Sequence, residues 1–176
     1  PTPAFGLYEP LVALSSGVYV PMDTCADHFQ ITPQNLAQHI TAKSKAILLN
    51  SPNNPTGAVY TPESLDAVYQ VAKEKNLFVL CDDVYAQLVY GPYQSFSRYQ
   101  DIREKIILIQ SFSKPYAMTG WRMGYLCADR PVIEQLAKLH SYTVVSAVSF
   151  LQKGCAAALD YDPSPMVKTY RRRRDY

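Results

Sequence analysis

Short all-apolar runs of four or five residues, separated by polar and helix-like stretches, constrain this chain more than any other feature. They fall at positions 18–22, 46–49, 77–81, 106–109 and 124–127, and several are followed at once by polar or turn residues. Runs this short and this uniformly apolar suit strands buried on both faces, because a strand with one wet face alternates instead. Helical patterns lie between them. The first covers positions 33–40. The second, 62–75, opens with Thr61 as N-cap, Pro62 at the first helical position and Glu63 in the first turn. A third covers 131–140, with apolar residues at 132, 133, 136, 137 and 139. Alternating strands and helices predict an α/β fold, a three-layer α/β/α sandwich around a mostly parallel sheet. Positions 50–61 are too rich in Pro, Asn and Gly for either element and read as one long turn. The stretch Asp160-Tyr-Asp-Pro-Ser-Pro165 reads as a break between two helices.

The 176 residues are 48% hydrophobic and 18% charged, an ordinary globular balance that allows one sizeable core. A net charge of +2 is too small to imply nucleic acid or a membrane surface as partner, and the one dense basic run, positions 171–174, reads as an exposed helical face. Cys25, Cys81, Cys127 and Cys155 are widely spaced and form no CxxC pair, which suits reduced, buried thiols in a cytoplasmic protein and no metal site. No apolar run approaches the roughly 20 residues of a membrane helix. The chain lacks an initiator Met and stops inside a charged helical pattern, so it is expected to be part of a longer protein.

In open α/β sheets ligands collect at the carboxyl ends of strands, so the residues just after each apolar run carry the chemistry. Asp82 follows the run at 77–81, where a carboxylate can pair with a cationic ring nitrogen or cap a following helix; Asp83 is expected to take the capping role. Lys114 follows the run at 106–109, and Pro115 disfavours helix at the lysine, which places its amine in a turn beyond the strand. Arg122 lies between Gly120 and Gly124 just ahead of the last apolar run. Its guanidinium matches phosphate oxygens in bidentate fashion, and the hydroxyls of Ser111 and Ser113 can donate to the same group; a structural salt bridge is the competing role. Asn54, held by Pro55, can present an amide to a ligand oxygen or serve as a turn residue. Trp121 is expected to be a core aromatic.

Taken in order, Ser51-Pro-Asn-Asn-Pro-Thr-Gly57, Asp82-x-x-Tyr85, Ser111-Phe-Ser-Lys114 and Gly120-Trp-Arg-Met-Gly124 resemble the class I/II aminotransferases, fold-type I enzymes that depend on pyridoxal 5'-phosphate. The resemblance implies that Lys114 carries the cofactor as an imine and shuttles the proton. Asp82 would pair with the pyridinium nitrogen, Asn54 and Tyr85 would bond the phenolic oxygen, and Ser111, Ser113 and Arg122 would grip the phosphate. Pro3-Ala-Phe5-x-x-Tyr8 is similar to the family segment that stacks an aromatic ring on the cofactor, which points to Phe5; a plain core aromatic is the competing role. On this resemblance residues 1–160 form the core of the cofactor-binding large domain. Residues 161–176, with Tyr170-Arg-Arg-Arg-Arg-Asp175, begin the long helix that leads to a small C-terminal domain. The family's upstream glycine loop for phosphate and its downstream arginine for the substrate carboxylate find no match here. The implied activity is amino-group transfer from an amino acid to a 2-oxo acid by a cytoplasmic homodimer. A lyase or synthase on the same constellation, and an effector-sensing domain of a transcription regulator, are the alternatives.

Overall fold

The computed structural model describes residues 1–176 and contains one four-stranded sheet. Its strands are β1 (Ala46–Asn50), β2 (Phe78–Asp82), β3 (Ile106–Ser111) and β4 (Gly124–Cys127), in that spatial order. β1, β2 and β3 run parallel and β4 antiparallel to β3. Six helices accompany them: α1 (Tyr8–Leu14), α2 (Pro33–His39), α3 (Pro62–Lys75), α4 (Arg130–Thr143), α5 (Ser149–Ala158) and α6 (Ser164–Arg174).

α3 forms where its end signals say it should. Thr61 accepts a hydrogen bond from the Ser64 amide at 3.3 Å, Pro62 occupies the first turn, and Asn76 ends the helix in the left-handed conformation. Such an N-cap contributes about 1 kcal/mol. Leu65, Val68 and Ala72, spaced three and four apart, put one stripe of α3 into the core. There they join Leu36 of α2 and the strand residues Ile47, Leu49, Val79, Cys81 and Ile106. The register explains the set: Ile47 pairs with Val79 and Val79 with Ile106, so all point to the face that α2 and α3 cover. Each buried Leu or Val stabilises by about 1.5–3 kcal/mol.

Two expectations about the strands need correction. The strands are not buried on both faces: Leu48, Leu80, Ile107 and Ile109 are half-buried and all of β4 is exposed, because no helix of this chain covers the second face as α2 and α3 cover the first. Positions 18–22 form no strand. Only a bridge from Thr2 to Asp23 pins that segment, Pro21 has no amide to donate, and Val18 stays 86% exposed. The connection from β2 to β3 contains no α-helix but a series of 3-10 turns between Ala86 and Lys105. The accessible surface, 11253 Å², exceeds the roughly 8,600 Å² expected of a self-contained chain of this mass, so the uncovered apolar faces of α1, β4 and α4 are a property of the whole chain. All four cysteines are unpaired; Cys81 and Cys155 are buried as expected, whereas Cys25 and Cys127 are exposed. No helix is long and apolar enough to cross a membrane.

Candidate functional site

The candidate residues gather at one rim of the sheet for a topological reason. Asn54, Asp82 and Ser111 stand at or just beyond the carboxyl ends of three parallel strands. β4, being antiparallel, brings its amino end, and with it Arg122, to that same rim: Ser111 pairs with Gly124. Gly124 is required there, since a Cβ would lie 2.7 Å from the Gln110 carbonyl oxygen. The Phe112 amide also donates to the Met123 carbonyl at 3.1 Å, which ties the Lys114 turn to the Arg122 turn.

Asn50, the last residue of β1, links two of the motifs. Its Oδ1 accepts from the Asn54 amide at 2.7 Å and its Nδ2 donates to the Asp82 carbonyl at 2.9 Å, while the residue itself is only 3% exposed. The turn carrying Asn54 is closed by the Asn53 amide donating to Ala58 and by Gly57, whose φ of +74° suits glycine. Asn54 and Tyr85 both line a cleft of about 350 Å³ with Leu88 and Tyr90. Asp82, Lys114 and Arg122 are not part of its wall, so this cleft adjoins the rim and does not coincide with it.

Asp82 receives the Tyr8 hydroxyl on Oδ2 at 2.5 Å. Burial pushes the Tyr8 phenol far above its ordinary range, and the Asp82 carboxylate adds to the shift. Tyr8 also meets Phe5 edge to face, with ring centroids 5.7 Å apart. Phe5 is 41% exposed and is not a core residue. The Lys114 ammonium is exposed in a turn beyond β3, 5.8 Å from the centroid of the Tyr85 ring. Ser111 Oγ accepts from the Ser113 amide at 3.1 Å. Arg122 holds a left-handed backbone, φ +55°, at a cost of about 1–2 kcal/mol, and its guanidinium donates to the Thr119 carbonyl at 2.9 Å. The structure thus links Asn54, Asp82 and Phe5 through Asn50 and Tyr8, and sets Lys114 beside Tyr85. No hydrogen bond joins Arg122 to either serine.

Two expectations about neighbours change. Asp83 caps no helix: it is 3% exposed, and its Oδ2 accepts from Ser95 at 2.8 Å, which clamps the loop carrying Tyr85. Burial holds its carboxyl above the ordinary range, while the hydroxyls of Tyr93 and Ser95 pull the other way. Trp121 is not in the core but 38% exposed. Sequence reasoning missed Asn50 and the role of Tyr8. The signal for Asn50 was its place as a buried amide ending an apolar strand; nothing in the spacing tied Tyr8 to Asp82, 74 positions away.

An α/β chain with an amine, a carboxylate, an amide and a guanidinium along one rim offers several polar groups where open α/β sheets hold their ligands. Comparison with known proteins is specific. The family model for aminotransferases of class I and II matches residues 1–176, and the chain belongs to that family. It is 40% identical to an aspartate aminotransferase of Musicola paradisiaca over 182 aligned residues, covering 100% of this chain and 46% of that protein. It is 36% identical to aromatic-amino-acid aminotransferase 2 of Thermococcus litoralis, covering 99% and 47%. Among solved structures, a double mutant of Thermus thermophilus aspartate aminotransferase superposes with a TM-score of 0.92 at 34% identity, over 99% of this chain and 47% of that one. The chain therefore spans about half the length of the relatives it matches.

Proposed function

We propose that this chain is the cofactor-binding core of an aminotransferase that moves an amino group from an amino acid to a 2-oxo acid on pyridoxal 5'-phosphate. The observation that carries the reading is the rim itself. Asp82, Asn54, Tyr85, Lys114, Ser111, Ser113 and Arg122, drawn from four motifs, all lie at or just beyond one set of ends of adjacent strands. Their chemistry fits the cofactor. A carboxylate acceptor suits a protonated ring nitrogen, an amide and a phenol suit an oxyanion on the ring, and hydroxyls with a guanidinium suit a phosphate. When bound, pyridoxal phosphate supplies a cationic ring that stabilises negative charge on the substrate carbon.

The chain's own residues then have distinct tasks. Asp82 would keep a proton on the ring nitrogen by a charge-assisted hydrogen bond, and Tyr8 orients that carboxylate by donating to Oδ2. Lys114 would hold the cofactor through Nζ, and the same amine, when free, would serve as the base for a proton on the substrate carbon. Asn54 and Tyr85 donate to the ring oxygen. Phe5 offers a ring face. Ser111, Ser113 and Arg122 would hold the phosphate, which would limit the freedom of the cofactor beside Lys114.

Residues 1–160 form this core and residues 161–176 lead into a further domain; α6 from Ser164 to Arg174 supports that division. The working protein is a cytoplasmic homodimer. Four unpaired cysteines support a reducing compartment, and the uncovered apolar faces support further burial in an assembly. The test uses the full-length protein with pyridoxal phosphate, 2-oxoglutarate, and aspartate or an aromatic amino acid. Glutamate should form together with the matching oxo acid, and Lys114→Ala should abolish both. Ammonia and an oxo acid without glutamate would point to a lyase, and no product at all would remove the enzymatic reading.

A further inference from the structure

Arg122 sits in a backbone conformation that an arginine does not adopt freely, so something outside its own turn must hold it. The turn is closed by the Trp121 amide donating to the Met118 carbonyl at 3.1 Å. Beyond that, α5 backs it. A Cβ at Gly154, in the middle of α5, would lie 2.8 Å from Cζ3 and 3.0 Å from Cη2 of Trp121, so the indole occupies the place of the missing side chain. The next residue, Cys155, and Ala158 one turn on are buried with Phe112 and Met123. Phe112 lies between Ser111 and Ser113, and Met123 follows Arg122. One face of α5 thus supports both segments assigned to the phosphate.

We propose that the Gly154–Trp121 contact positions Arg122 for the phosphate of the cofactor, with Gly154 and Trp121 acting as positioning residues that touch no ligand. The proposal rests on the reading that Ser111, Ser113 and Arg122 hold that phosphate. A methyl group at 154 must push back the far edge of the indole, and Trp121 immediately precedes Arg122 in the same turn, so a shift taken up by the Trp121 backbone re-aims the guanidinium. The consequence is selective: binding of the phosphate should suffer and binding of the ring should not.

The experiment measures equilibrium dissociation constants of the full-length protein for pyridoxal phosphate and for pyridoxal, which lacks the phosphate. Gly154→Ala should raise the constant for pyridoxal phosphate by about tenfold and leave that for pyridoxal within about twofold, the loss of roughly one charge-assisted contact. Adding Trp121→Leu to Gly154→Ala should recover part of the loss by making room for the methyl group. Equal weakening of both ligands, or none, would overturn the proposal. If Gly154→Ala gives no folded protein, Trp121→Leu alone decides: it should lower the preference for pyridoxal phosphate, and an unchanged preference overturns the proposal. Arg122→Ala is the control for the underlying reading. If the preference survives that substitution, the fault lies in assigning Arg122 to the phosphate, whatever Gly154→Ala does.

Discussion

Replacing Asn50 with Ala removes two hydrogen bonds at once, the 2.7 Å bond from the Asn54 amide and the 2.9 Å bond to the Asp82 carbonyl. Each bond contributes about 1 kcal/mol net, and a buried group left without a partner costs a further ~1–3 kcal/mol. Asn50 is 3% exposed, so water does not readily replace the lost side chain. The expected destabilisation is therefore about 2–4 kcal/mol, a large share of the 5–15 kcal/mol that roughly bounds a domain's stability. With a urea dependence of about 2 kcal/mol per molar, the midpoint should fall by roughly 1–2 M. Urea unfolding followed by far-ultraviolet circular dichroism measures this directly. Because the same two bonds tie the Asn54 turn to the Asp82 strand end, affinity for pyridoxal phosphate should fall as well. A midpoint within about 0.3 M of the parent would refute the reasoning, since a shift that small is only a few tenths of a kcal/mol per bond.

Tyr8→Phe deletes the hydroxyl that donates to Asp82; bonds to charged groups contribute about 1.5–3 kcal/mol, and partial exposure reduces that to about 1 kcal/mol in the same unfolding assay. Tyr8 has a raised folded pKa, so its contribution is complete below its ordinary value of 10 and is lost as pH rises past it; the stability gap between parent and Tyr8→Phe should narrow above pH 10. Asp83 also has a raised folded pKa, and as an acid its protonated form is favoured in the fold. Its contribution is greatest below its ordinary value of 3.8 and declines as pH rises, so Asp83→Asn should flatten the fall in stability on the alkaline side of that value, as pH-dependent melting would record. Arg122→Gly should relieve the left-handed backbone and leave stability equal or higher by up to about 1 kcal/mol, yet weaken pyridoxal phosphate binding; a loss of both would mean the guanidinium is structural.

The elements that local physics decides were readable from sequence. The helix at 62–75 carries its own cap, proline and apolar stripe, and forms with the expected bounds. The runs at 46–49, 77–81, 106–109 and 124–127 all become strands, because each finds a neighbour in the ladder. Positions 18–22 have the same apolar character but no partner beyond the single bridge at Thr2, which composition does not reveal. Nor does it reveal that β4 runs antiparallel, although that reversal is what carries Arg122 to the rim. At the rim, the residues proposed to meet a ligand were marked by their places after strands. The residues that hold them, Asn50, Tyr8, Asp83 and Gly154, act through contacts across 4 to 74 positions and became visible only when the chain was folded.

The central claim is that Lys114 Nζ anchors the cofactor. Incubating the full-length protein with pyridoxal phosphate, reducing with borohydride, and mapping the modified peptide by mass spectrometry tests it most directly. The account predicts a pyridoxyl group on Lys114, absent from the Lys114→Ala variant and diminished by Arg122→Ala. A pyridoxyl group on another lysine, or none on Lys114 under conditions that support turnover, would contradict it.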